Sequence, residues 1–202
     1  MLSDLSYIGN RDYIRGIDIL KFFFKVNKLN KDLFINRFSL NSPILKNGIW
    51  FKSDKKPPKY SAHLSLLNNG KVTSYWFLEK SIQIIKKSAE VPSLVLSMDS
   101  KKTLCGNFKF TKNLSGEFFL DALVEANKKL HSLEEQKIIN GKPKIQLVYF
   151  ENINNLSLLH DNIIINNILN REVKNTIFTL SQITNDKLLK PITICFSYLK
   201  KL

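Results

Sequence analysis

The sequence predicts an α+β fold made of two similar halves, and three observations predict it. First, YIGNRDYIRGIDILKFFFKVN (Tyr7–Asn27) aligns with NFKFTKNLSGEFFLDALVEAN (Asn107–Asn127). Gly16 falls on Gly116, Leu20 on Leu120 and Asn27 on Asn127, an internal repeat at helical spacing. Second, both halves end in a run that reads as strand, polar turn, strand: His63–Lys80 in the first and Thr179–Lys200 in the second. Third, 202 residues with 44% hydrophobic composition can build one large core or two small ones, and are too apolar for a disordered chain. Two cycles of a helix followed by antiparallel strands define the α+β class.

Taken in order, residues 16–28 read as the first helix, with Ile17, Leu20, Phe23 and Phe24 turned inward and Asp18 in the first turn, where a carboxylate suits the helix dipole. Lys31–Leu40 reads as a strand, and Asn47-Gly48 as a turn into the strand IWFKS. DKKPPK, Asp54–Lys59, is a loop, because two prolines cannot sit inside a sheet ladder. Tyr60–Leu67 and Val72–Leu78 form a hairpin. Asn68-Asn69-Gly70 supplies its turn, as these residues tolerate positive φ. Ser81–Glu90 reads either as a short helix or as an extension of the preceding strand. Val91–Asp99 opens the second half as a strand. A loop then leads through Gly106 to Gly116 and a second helix that fades near Leu133, with Ser132–Pro143 as its end or a linker. Ile145–Ile153, Asn162–Leu169, Glu172–Ile183 and Pro191–Leu199 are the remaining strands, with Asn185-Asp186 as a second tight turn. The expected domains are residues 1–90 and 91–202. No domain-separating linker appears, so one continuous core is expected.

No apolar run approaches the roughly 18 residues of a membrane span. The N-terminal stretch lacks the basic start and apolar core of a signal peptide. Cys105 and Cys195 are too far apart for a metal spacing, so reduced thiols, a cytoplasmic location and no metal are expected. The net charge of +14 raises a nucleic-acid reading. Arginine, which base readout and bidentate phosphate contacts favour, occurs only at Arg11, Arg15, Arg37 and Arg171. The lysines are spread along the chain and fit a solvated surface, or a rim that steers an acidic partner.

The stretch Gly106–Asn127 carries the most specific signal. Asp121 stands beside the apolar positions Leu120, Leu123 and Val124 of the predicted helix, either as a solvated flank or as a group held in a dry pocket. The stretch resembles the active-site segment of the hot-dog fold β-hydroxyacyl dehydratases, whose pattern runs H-F-P-G-x-P-x-M-P-G-x-L-x-x-[DE]-A. Asn107-Phe108 stands at the His-Phe position, Gly116 at the last glycine and Leu120-Asp121-Ala122 at the helix acid. Glu125 falls where many of these enzymes carry glutamine. The histidine and both loop prolines are absent. In the first half Tyr7-Ile8 takes the His-Phe place and Lys21 the acid place.

The resemblance implies a double hot-dog, each helix wrapped by antiparallel strands. It implies action on acyl thioesters bound to acyl carrier protein or coenzyme A, by dehydration, acyl transfer or a related step, without a separate cofactor. Dehydration removes the proton α to the thioester carbonyl and expels the β-hydroxyl as water. By resemblance Asp121 is the helix acid. Backbone N–H groups at Gly116 and Glu117 polarise the thioester carbonyl, and Gly16 takes the equivalent place in the first half. Tyr7 and Asn107 occupy the histidine positions of the two halves, and Phe119 and Leu123 line the acyl tunnel. None of the three histidines fills the motif. His63, on a strand able to line the pocket, is the reserve candidate, whereas His131 ends a helix and His160 sits in a loop. Three readings stay open: an acyl-thioester enzyme, a non-catalytic acyl-binding scaffold, and the less favoured nucleic-acid binder. A homodimer of the fused pair is left open as well.

Overall fold

A computed structural model of the chain describes residues 3–8, 12–27, 34–84, 87–88, 95–102, 105–110, 116–135, 145–153, 163–184 and 190–199. The polypeptide gathers into two units, Met1–Pro92 and Ser93–Leu202. The first unit opens with the short strand β1 (Tyr7–Ile8) and the helix α1 (Gly16–Asn27). The helix begins where Arg15 closes a bidentate pair on Asp18, at 2.8 and 2.5 Å, placing an acid in the first turn next to the unsatisfied backbone N–H groups. Ile17, Ile19, Leu20 and Phe23 are its buried face. Ile19 thus takes an inward place expected for Phe24, which is half-buried.

The strands β2 (Phe34–Leu40), β3 (Lys46–Lys52), β4 (Ala62–Asn68) and β5 (Lys71–Gln83) form an antiparallel sheet in the order β3-β5-β4-β2. A further short strand, β6 (Lys87–Ser88), pairs in parallel with β1. Side chains alternate across the sheet. Ala62, Leu64 and Leu66 share a face with Tyr75 and Phe77, and this face meets α1. Phe23 packs edge-on against Trp50 and Tyr75 at centroid distances of 5.3 and 4.8 Å, and the Trp50 Nε1–H donates to the Ile19 carbonyl at 3.3 Å. His63, Ser65, Ser74 and Trp76 point to the opposite face.

Two local readings are corrected here. Asn47-Gly48 is not a turn but part of β3. The glycine is needed for close approach: an added Cβ would lie 2.2 Å from the Leu78 carbonyl oxygen. The Asn47 amide instead anchors the N-terminal segment. It accepts from the Ser3 hydroxyl and the Leu5 N–H and donates to the Gln83 carbonyl. The strand β5 runs on through Ser81 to Gln83, which decides the helix-or-strand choice for the start of Ser81–Glu90. The hairpin turn at Asn69-Gly70 has the expected positive φ angles, 47° and 76°.

The second unit contains β7 (Val95–Lys102), β8 (Cys105–Phe110), α2 (Gly116–Glu135), β9 (Ile145–Ile153), β10 (Ile163–Val173), β11 (Thr176–Thr184) and β12 (Ile192–Leu199). Its strands are antiparallel in the order β9-β12-β11-β10-β8-β7. The loop expected from Gly106 onward begins instead within the strand β8, Cys105–Phe110, which is paired with both β7 and β10. Phe108 and Phe110 alternate with Lys109, which is strand periodicity. The turn between β10 and β11 falls at Lys174-Asn175, with Lys174 at φ 56°, a few residues later than the sequence suggested. Asn185-Asp186 lies outside the described residues. The helix α2 lies against β7 and β8 and buries Leu120, Ala122, Leu123, Ala126 and Leu130. Ile163, Ile165, Ile183, Ile192, Ile194 and Phe196 make up much of the rest of this core, and Cys195 is buried on β12.

Candidate functional site

The site candidates of the second unit gather around α2. Gly116 opens the helix, so the backbone N–H groups of its first turn, Glu117 among them, lack intrahelical partners. Asp121 follows in the next turn. It is only 6% exposed and is flanked by Leu120 and Ala122, both at 0%. The carboxylate is therefore a buried group and not a solvated flank. Glu125, one turn on, pairs instead with Lys129 at 3.1 Å. Leu123 is fully buried. Asn107 lies in β8, a strand that neighbours α2, and its backbone is in register with Ile164 of β10 and Asp99 of β7. The side chains of Asn107, Glu117 and Phe119 lie outside the described residues.

Sequence reasoning missed two polar groups in this core. The Asn127 amide is fully buried, and neither its nitrogen nor its oxygen has a hydrogen-bond partner among the described residues. The Ser181 hydroxyl is in the same state on β11, beside Asn167 and Ile194 in register. The alignment of Asn127 with Asn27 gave no warning, because Asn27 is exposed and its amide donates back to the Phe23 carbonyl at 2.9 Å.

In the first unit Gly16 opens α1 at a close crossing, where an added Cβ would meet Leu40 Cδ1 at 2.4 Å. Tyr7 is in β1, and its hydroxyl donates to the Leu45 carbonyl at 2.9 Å. Leu45 in turn lines an open cleft of about 350 Å³ with Lys46, Glu79, Lys80 and Ser81. Glu79 is held rigidly there. One carboxylate oxygen accepts from the N–H groups of Leu45 and Lys46, both at 2.9 Å, and the other accepts from the Ser61 hydroxyl. Nothing local in the sequence marks this cleft, because it forms only when β3 pairs with β5.

His63 sits on the sheet face away from α1. Its ring stacks on Trp76 at 4.1 Å and 25°, and Nε2 lies 3.3 Å from the Ser74 hydroxyl. Tyr60 packs edge-on to Trp76, the Lys56 ammonium lies over Tyr60, and the Trp76 indole N–H donates to the Ser53 carbonyl at 2.9 Å. These contacts strap the DKKPPK loop onto the outer face of the sheet. Burial, and secondarily the Arg37 guanidinium, hold the His63 pKa below the ordinary imidazole value, so the ring is neutral near pH 7. Among the described residues no group of three or more His, Cys, Asp or Glu is placed to hold a metal ion. No helix of the described residues is long and apolar enough to cross a membrane.

No protein-family model and no curated protein matches the chain. Solved structures do resemble it. The dehydratase domain of RzxB from Pseudomonas fluorescens superposes with a TM-score of 0.52 at 9% identity, over 98% of this chain and 92% of that one. A tesB protein from Mycobacterium avium subs paratuberculosis superposes with a TM-score of 0.50 at 8% identity, over 99% and 92%. The chain has the hot-dog fold, in the α+β class the sequence predicts.

Proposed function

We propose that the protein processes acyl thioesters delivered by acyl carrier protein or coenzyme A. The observation that carries this reading is Asp121. A carboxylate is costly to bury in an apolar core and is retained where chemistry or a fixed partner needs it. This one is buried in the second turn of a helix opened by Gly116, and the sequence resemblance equates it with the dehydratase helix acid. In a dehydration, the Asp121 carboxylate takes the proton α to the thioester carbonyl and then returns a proton to the β-hydroxyl, which leaves as water, so that the carboxylate is regenerated. The N–H groups at the start of α2 stabilise charge on the thioester oxygen. By the resemblance Tyr7 and Asn107 take the histidine positions, each in its own half, and each offers a hydrogen-bonding group to a substrate bound in that half. Phe119 and Leu123 supply apolar wall for the acyl chain.

The test is incubation with carrier-bound β-hydroxy and β-keto acyl thioesters, read by mass spectrometry for the wild type and Asp121→Asn. The expected result is a mass change with the wild type that the variant loses. No change with any substrate for either protein overturns the enzymatic reading. The missing motif histidine favours a second reading, a non-catalytic acyl-binding scaffold, in which acyl binding survives Asp121→Asn and no turnover occurs.

A further inference from the structure

The dipeptide Asn-Gly occurs three times in the chain, at Asn47-Gly48, Asn69-Gly70 and Asn140-Gly141. The last lies outside the described residues. The fold puts the other two in opposite environments. Asn47 is 7% exposed, and its amide is held at both atoms. The oxygen accepts from the Ser3 hydroxyl at 3.2 Å and the Leu5 N–H at 3.0 Å, and the nitrogen donates to the Gln83 carbonyl at 3.4 Å. The Gly48 N–H is engaged as well, donating to the Ser3 hydroxyl at 2.7 Å. Asn69 and Gly70, in contrast, are exposed. They form the two-residue turn between β4 and β5, where Asn68 pairs with Lys71 and the residues between them lie outside the ladder. Both have positive φ, 47° and 76°, and nothing lies within 4 Å of a Cβ built on Gly70. A residue without a side chain therefore presents its backbone nitrogen in open space, next to an amide side chain that solvent reaches.

An asparagine amide and the backbone nitrogen of the next residue react with each other when they come together, because their union closes a five-membered ring. A side chain on the next residue hinders the approach, and glycine has none. We propose that Asn69-Gly70 is a site of spontaneous deamidation, and that the β4–β5 turn is where the folded first unit ages. The Gly70 nitrogen attacks Cγ of Asn69. A new N–Cγ bond closes a succinimide, the bond from Cγ to the side-chain nitrogen breaks, and ammonia leaves with the proton that Gly70 gave up. Water then opens the ring. Addition at Cγ gives aspartate. Addition at the main-chain carbonyl gives isoaspartate, in which the chain runs through Cβ and Cγ. Either product adds a carboxylate to the turn, and isoaspartate also lengthens the link between the strands by one methylene. In a two-residue hairpin the loop fixes the register, so the pairs Leu67 with Val72 and Leu66 with Thr73 loosen first. The same dipeptide at Asn47-Gly48 is protected, because its ring cannot close until four hydrogen bonds and the pairing of β3 open.

The experiment incubates the full chain at mildly alkaline pH, folded, with a parallel sample unfolded in guanidinium chloride. Aliquots are digested with trypsin at mildly acid pH and mapped by mass spectrometry, with fragmentation that separates isoaspartate from aspartate. Cleavage after lysine, except before proline, leaves the three dipeptides in separate peptides, Asn47–Lys52, Tyr60–Lys71 and Ile138–Lys144. In the folded chain Asn69 should convert at least about a hundredfold faster than Asn47, a factor set by the four hydrogen bonds that must open at Asn47-Gly48. In guanidinium chloride the two rates should converge, because both sites are then Asn-Gly in an open chain. Gly70→Ala is compared with the wild type in guanidinium chloride, where its fold does not matter, and should lose most of the conversion at Asn69. Equal rates at Asn47 and Asn69 in the folded chain overturn the proposal. So does conversion of Asn69 in guanidinium chloride alone, or an acid that the fragments place at Asn68. A Gly70→Ala chain that converts as fast as the wild type overturns the ring-closing route.

Discussion

Replacing Gly48 with alanine tests the packing that shapes the cleft. The new Cβ would lie 2.2 Å from the Leu78 carbonyl oxygen and 2.7 and 2.8 Å from two ring atoms of Phe77. The first obstacle is backbone and the second a fully buried ring, so neither can step aside like the end of a surface side chain. An ordinary carbon–oxygen contact is about 3.3 Å or longer, so β3 must draw back from β5 by about 1 Å. Overpacking of this kind costs about 1–3 kcal/mol. Withdrawal also strains the pair of bonds between Gly48 and Ser3, at 2.7 and 2.8 Å, each contributing about 1 kcal/mol. The expected loss is about 3–5 kcal/mol, a large share of a typical domain's stability. Urea unfolding followed by tryptophan fluorescence measures it directly, because both tryptophans, Trp50 and Trp76, are in the first unit. Gly70→Ala is the control. Its φ of 76° opposes a side chain, but nothing lies within 4 Å of the added Cβ, so the left-handed backbone alone should cost about 1–2 kcal/mol. A Gly48→Ala loss no larger than that of Gly70→Ala would refute the close-approach argument.

His63 makes stability depend on pH. Its folded pKa is lowered, so the unfolded chain takes up the proton first, and stability falls as pH drops below the ordinary imidazole value through the folded one. Melting curves from about pH 8 to about pH 5 should show a steeper loss for the wild type than for His63→Gln; parallel curves would remove the histidine from the account. Trp76→Phe deletes the bond to the Ser53 carbonyl, at about 1 kcal/mol, and should speed tryptic cleavage after Lys55 and Lys59 in the strap. Glu79→Ala orphans the Leu45 and Lys46 N–H groups and the Ser61 hydroxyl at a partly solvated site, and should lower stability by about 2–3 kcal/mol in urea titrations. Asp121→Asn should cut turnover of a processed thioester by about 100-fold or more while unfolding stays cooperative, as checked by mass spectrometry and circular dichroism.

The sequence by itself determined the α+β class, both helices, the hairpin turn at Asn69-Gly70 and the place of Asp121 beside an apolar stripe. These are local matters. Helical spacing and turn chemistry act over a few residues, and the signal survives without any knowledge of what packs against it. Only the tertiary structure decided the rest. Asn47-Gly48 carries the composition of a turn, yet it is strand because Leu78 and Phe77 come close across β5. Asp121 was open between a solvated flank and a buried acid until the helix was set in its unit. The burial of Asn127 and the locking of Glu79 depend on residues far apart in the chain. Burial and pairing are properties of the assembled sheet and helix. No short window of residues contains them, and so the acid was legible in the sequence while the cleft was not.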